Sequence, residues 1–272
     1  MPYHRLLAFF FVSISLDAAQ AHEVWIEPLF WQVPVEESFE AHRINGENFK
    51  GNKLSWNERV TVLAERRIGD KTVPLTGRAG DIPAFQLPGA ASGLMALIFQ
   101  STHNTITYRN YDKFARFVTS KGYEETLDAH AARDLPETPI KEAYVRFAKA
   151  LVAVGDGAGE DKPRGLELEL VALDNPYTSK GGQLRFQVLY RDVPLADNKV
   201  TVFMRDAEGV VNELSQTTTA DGIAIFDAVP GREYLVDTVV LREPARALVV
   251  ETKGAVWESL WASLTFKVPD AQ

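Results

Sequence analysis

The sequence contains no cysteine and only three methionines among 272 residues. Disulfide scaffolds and thiolate metal sites are therefore excluded, and stability has to come from packing. After Leu16 no stretch is apolar enough to form a membrane-spanning helix, so no direct membrane insertion of the mature chain is expected. A positive field is missing too. Acidic residues number 37 against 29 basic ones, for a net charge of −8, which argues against nucleic acid as a partner. Familiar catalytic signatures are also absent. There is no G-x-S-x-G elbow, and GDGAG at 155–159 lacks the lysine and hydroxyl residue of a phosphate loop. A zinc-protease motif is not completed either, because His22 and Glu23 are followed by Val24, Trp25 and Ile26. Whether the chain is an enzyme stays open, and a binding role is the leading expectation.

What is present begins at the amino terminus. MPYHR is a short basic start, Leu6 to Leu16 is an apolar run of signal-peptide length, and Ala19 and Ala21 are the small residues a signal peptidase accepts. Residues 1–21 are read as a signal peptide cleaved after Ala21, and the mature protein as periplasmic. Cleavage removes one basic and one acidic residue, Arg5 and Asp17, and leaves the charge unchanged.

Residues 22–108 read as an N-terminal β-sandwich. EVWIEP, ERVTVLAERR and LMALIFQST have strand composition, and INGENFKGN and LTGRAGDIP punctuate them. In ERVTVLAE, Val60, Val62 and Ala64 alternate with Arg59, Thr61 and Leu63, which predicts a half-buried strand. From 109 to 154 the period becomes helical. Tyr111, Phe114, Phe117 and Val118 follow a cap at Asn110, and TLDAHAARDL repeats the spacing weakly. Ile140, Tyr144, Phe147, Leu151 and Val154 then predict the clearest helix, with Thr138 as cap and Pro139 in its first turn. Residues 155–165, rich in glycine and charge, read as a solvated linker. Residues 166–272 return to short alternating strands, a second antiparallel sandwich of Ig-like spacing. The fold class is therefore mainly β, with two antiparallel sandwiches and a helical insertion between them.

In the last strand Leu260, Ala262, Leu264, Phe266 and Val268 share one face, as a core set should. Trp257 and Trp261 share the other with Ser259 and Ser263. Two indoles on that face need a cover. Packing against the helices or the first sandwich is the simpler expectation, and a stacking platform for a sugar is the alternative.

Processing after Ala21 would give His22 both an imidazole and a free α-amine. Two such nitrogens can close a chelate ring on Cu(II), Ni(II) or Zn(II), and square or tetragonal nitrogen sites favour the first two. His103 and His42 are the candidate additional ligands. His130, among alanines on the weak helix, reads as solvent-facing.

AHEVWIEP, INGENFKG, YDKFARFVTSKGYEETL, EAYVRFAKALVAVG and WESLWASLTFKV together resemble the DUF4198 family, over nearly the whole mature chain and in the same order. The resemblance implies an exported bacterial protein loosely linked to nickel or cobalt uptake, beginning at His22. TTADGIAIFDAVPGREYLV is similar to transthyretin-like and carboxypeptidase-regulatory-like sandwiches. The leading expectation is a periplasmic accessory protein that handles a divalent transition metal and passes it to an envelope transporter or other membrane protein. A carbohydrate- or protein-binding module using Trp257 and Trp261 is the first alternative. An oxidative copper enzyme using His22 is the second. Amino-terminal sequencing of exported protein should return His-Glu-Val-Trp, and any other first residue would remove the two-nitrogen chelate.

Overall fold

A computed structural model describes residues 22–179 and 182–271. The expected signal peptide lies outside the described residues. In chain order the first strands are β1 (Glu23–Pro28), β2 (Gln32–Val33), β3 (Phe39–Glu47), β4 (Lys50–Leu54), β5 (Thr61–Ile68) and β6 (Lys71–Pro74). Then come β7 (Phe85–Leu87), β8 (Gly93–Ser101), β9 (Asn104–Tyr108), α1 (Tyr111–Ser120), α2 (Glu125–Ala132) and β10 (Ile140–Val154). The second half holds β11 (Leu168–Ala172), β12 (Gln183–Tyr190), β13 (Val193–Pro194), β14 (Lys199–Arg205) and β15 (Val211–Thr217). It closes with β16 (Ile223–Asp227), β17 (Glu233–Arg242), α3 (Arg246–Glu251) and β18 (Trp257–Lys267).

These strands build three β layers. The middle one runs β15-β14-β17-β18-β10-β8-β5-β6, with β2 and β9 also pairing to β10. One flanking sheet combines β1, β3, β4 and β7, and the other β11, β12, β13 and β16. The mainly β, antiparallel expectation holds, with one exception of consequence: β10 and β18 pair in parallel. That pairing carries a single sheet across the expected boundary between the two sandwiches, so they share their middle layer.

The segment 140–154 is the main correction. It is a fifteen-residue strand, not the expected helix. Its apolar residues satisfy helical spacing because eleven of the fifteen positions are apolar. Ala148, Ala150, Val152 and Val154 pack under the first flanking sheet with Ile26, Phe39, Phe85 and Leu87. Val145, Phe147 and Leu151 pack on the opposite side with Leu168, Leu170, Phe186 and Val188. A strand covered on both faces loses the polar alternation that would mark it as a strand. A helix here would have exposed the second apolar set, Val145, Ala148 and Val152.

The shorter helices follow the sequence reading. Asn110 caps α1 by accepting from the Lys113 N–H at 3.2 Å, and Gly122 turns the chain away with φ +80°. Phe114, Phe117 and Val118 are the buried side chains of α1. The predicted alternation in β5 breaks at a bulge between Thr61 and Leu63, which leaves Val62 exposed.

Residues 155–165 are not a free linker. Lys149 projects from β10 with only 2% of its surface exposed. Its Nζ lies 3.1 Å from Asp161 and 2.8 Å from Glu169. The Glu169 carboxylate accepts the N–H groups of Arg164 and Gly165, and Asp161 accepts that of Ala172. Arg164 in turn donates to Glu65 at 3.0 Å. The segment is thus pinned to the middle sheet by buried charge. Burial disfavours the charged lysine, but the two carboxylates outweigh it and hold its pKa above the ordinary value.

Two predictions concern the charges on β10. Lys149→Met strands two carboxylates in the interior, a loss of about 3–5 kcal/mol for breaking a buried pair from one side. The triple variant Lys149→Met/Asp161→Asn/Glu169→Gln should regain most of it in denaturant melts. A single variant as stable as the parent would contradict this account. Glu142 is fully buried, accepting from the Tyr108 hydroxyl at 2.9 Å and from Ser259. Burial pushes its pKa up to about 7. An acid whose folded pKa is raised stabilises the fold when protonated, so stability should fall as pH rises from about 4.3 through 7. Melting temperatures across that window should fall less for Glu142→Gln than for the parent, and parallel curves would refute the assignment.

Candidate functional site

Strand β1 lies across the middle sheet, tied down by side-chain hydroxyls. Ser263 Oγ donates to Val24 O at 2.7 Å, and Thr265 Oγ1 to Ile26 O at 2.5 Å. These bonds fix the start of β1, and His22 sits immediately before it. In the β1–β3 pairing Glu23 faces Gly46, which places His22 opposite Glu47. His22 Nδ1 is 2.9 Å from Glu47 Oε1, and both side chains are partly exposed. That nitrogen is nevertheless shut off from solvent and not aligned for a hydrogen bond.

Glu47 also lines a cavity of about 680 Å³ between β1, α1, β14 and β15, with Glu23, Lys121, Phe203 and Glu213 in its wall. Beneath it Lys121 Nζ bridges Glu23 at 2.9 Å and Asp237 at 2.8 Å, and lies 4.4 Å from the centre of the Trp261 ring. Burial disfavours the charged lysine, yet Asp237 and Glu23 outweigh it and lift its pKa to about 12. Burial raises Asp237 to about 6 against the opposing pull of Lys121. One oxygen of each carboxylate, Glu23 Oε2 and Asp237 Oδ1, has no hydrogen-bond partner.

The other candidate ligands lie elsewhere. His42 is in β3 opposite Glu27, five positions from Glu47. At about 3.4 Å per residue that is roughly 17 Å away, and the odd step puts it on the opposite face of the sheet. Burial, helped by Lys53, lowers its pKa. His103, between β8 and β9, has Nε2 3.2 Å from Glu258. Arg242 grips the same carboxylate at 2.8 and 2.9 Å. Burial alone would raise Glu258, but the bonds from His103 and Arg242 hold it down to about 2. The carboxylate in turn raises the pKa of His103, which favours the protonated ring over the neutral nitrogen a metal needs. Among the described residues no three His, Asp or Glu side chains gather as a ready metal cluster. The structure therefore does not bring His22, His42 and His103 together.

His130 is buried, not solvent-facing. It accepts from Trp257 Nε1 at 3.0 Å through Nδ1, and its Nε2 lies 3.1 Å from Pro136 O. The indoles of Trp257 and Trp261 are 3% and 2% exposed. Phe117 of α1 stacks on Trp261 with centroids 5.6 Å apart, and His130 of α2 stacks on Trp257 at 6.3 Å. The helices are the cover these rings needed, so the ligand-platform alternative falls.

Sequence reasoning missed Glu47, whose role depends on strand register rather than on any motif. It also missed Arg43 and Arg146, buried arginines with unpartnered guanidinium nitrogens. The available signal was a charge inside an apolar run, as in AYVRFAKALVAV.

Among the described residues no helix is long and apolar enough to cross a membrane. No curated protein matches the chain. The D0-D1 domain of Intimin is similar at 12% identity over 89% of this chain and 97% of that one, with a TM-score of 0.22. A tetra-tandem repeat in the extending region of a large adhesion protein is similar at 11% identity, over 91% of this chain and 50% of that one, with a TM-score of 0.22. A family profile matches residues 19–241, most of the sequence, and by that match the chain belongs to the DUF4198 family, a domain of unknown function.

Proposed function

We propose that the mature protein is an exported binding protein that captures a divalent transition metal, nickel, cobalt or copper, at the His22–Glu47 corner. The observation that carries the reading is the 2.9 Å approach of His22 Nδ1 to a carboxylate oxygen with no aligned hydrogen bond between them. Two donors each about 2.1 Å from one ion and at right angles stand about 3 Å apart, so the pair already has the spacing of neighbouring ligands. Cleavage after Ala21 would add the α-amine as a third donor on the same residue. The exposed Glu47 side chain leaves coordination positions on its side open to water or to a receiving protein. His42 and His103 are not part of this reading. Delivery to an envelope transporter is the proposed use of the captured ion.

Titration of Ni(II) and Cu(II) into protein beginning at His22 tests the proposal. His22→Ala and Glu47→Gln should each weaken binding by at least about tenfold, the scale on which a metal site responds even to loss of a supporting group. Protein retaining Ala21 should lose the amine contribution and weaken as well. Equal affinities across all four proteins would refute the site.

A further inference from the structure

A second cavity, of about 270 Å³, opens on the other side of β1 between β3, β4, β8 and β10. Glu23 faces the larger cavity and Val24 faces this one, so the first residues of β1 form the wall between them. Arg43 and Arg146 reach into the smaller cavity. They are 5% and 4% exposed. Nε of Arg43 and both Nε and Nη1 of Arg146 have no hydrogen-bond partner.

What the two guanidinium groups do touch is mostly aromatic. Arg43 Cζ lies 4.7 Å from the centre of the Phe99 ring, and its Nη2 donates to Ser55 O at 2.8 Å. Arg146 Cζ lies 4.2 Å from the Trp261 ring centre and 4.6 Å from that of Tyr144. Those rings hold the guanidinium groups by cation–π contact and leave these nitrogens without an oxygen or nitrogen acceptor. Glu142, Glu23 and Asp237 act on Arg146 through their charge, and Glu23 and Asp237 are already engaged by Lys121. Burying a guanidinium is costly unless its donors are met by an anion. Two of them around one cavity make a fork-lined receptor for a planar, bidentate acceptor.

The remaining walls decide between kinds of anion. Val24, Leu54, Val60, Phe99 and Tyr144 supply apolar and aromatic surface beside the polar Asn45, Ser101 and Asn104. Leu54, Val60, Tyr144 and the amides Asn45 and Asn104 are half-buried and form the mouth, while the arginines, Val24, Phe99 and Ser101 are buried. The charge lies deep, and Leu54, Val60 and Tyr144 bring apolar surface to the opening beside two amides. An inorganic oxyanion would leave the apolar rim without a partner. A carboxylate on an apolar body would fill both.

We propose that this pocket binds a small organic carboxylate, its carboxylate on Arg43 and Arg146 and its apolar body against Phe99, Tyr144 and the rim. The site is separate from the His22–Glu47 corner and stands whether or not that corner holds a metal.

The test uses benzoate as probe, with benzamide and inorganic phosphate as comparison ligands, followed by calorimetry and thermal shift. Benzoate should bind and raise the melting temperature, and benzamide should do neither. Arg43→Met and Arg146→Met should each weaken benzoate by about tenfold to a hundredfold, the worth of a charge-assisted bond. Leu54→Trp, which leaves both charges in place, should block the mouth and abolish binding even if an arginine variant folds poorly. Phosphate binding at the arginines without benzoate binding would overturn the organic-carboxylate assignment. Absence of any response to benzoate, or an undiminished response in Leu54→Trp, would overturn the site itself.

Discussion

Both faces of β10 are covered, and much of the architecture follows from that constraint. One face must be sealed by the sheet containing β1 and β3 together with α1 and α2, and the other by the sheet containing β11 and β12. The hydrogen-bonding edges of β10 are occupied as well, by β18 on one side and by β8 and β9 on the other. Apart from half-buried Lys141 and Tyr144 near its start, no direction remains for a polar side chain of β10 to escape to water. The charges that β10 does carry therefore need dedicated partners. Lys149 finds two carboxylates, Glu142 finds two hydroxyls, and Arg146 finds aromatic rings and a cavity.

How far the sequence could be read depended on how local each constraint is. The face of β18 carrying Leu260, Leu264 and Phe266 was legible because that set of residues is apolar throughout. Helices α1 and α2 were legible because Asn110 and Gly122 mark the ends of the first, and the stripe of Phe114, Phe117 and Val118 has one period only. β10 was misread because double-sided burial erases the difference between period 2 and period 3.6. The segment 155–165 was misread because the partner that buries Asp161 is Lys149, in a different element. His130 failed for the same reason, since the indole it accepts from lies 127 residues away.

The candidate sites divide along similar lines. His22 was visible as a chemical type at a distinctive position, whereas Glu47 opposite it is supplied by register. The buried arginines were visible only as charges out of place. In a family described as a domain of unknown function, these two neighbouring features on either side of β1 give the fold a chemical vocabulary. One is the nitrogen and oxygen corner proposed to hold a cation, and the other is the cationic recess proposed to take a carboxylate.

The hydroxyls of Ser263 and Thr265 that hold β1 have a consequence for the order of events during synthesis. The carbonyls they bind belong to Val24 and Ile26, some 239 residues earlier. β18 also fills the slot between β10 and β17, so the middle layer has a gap until the late part of the polypeptide has been made. The first strand can pair with β3 early, but it is tied to the middle layer only when the last strand is in place. The two ends of the chain are thereby closed onto one another by contacts of very high sequence separation, which places their joining late in folding.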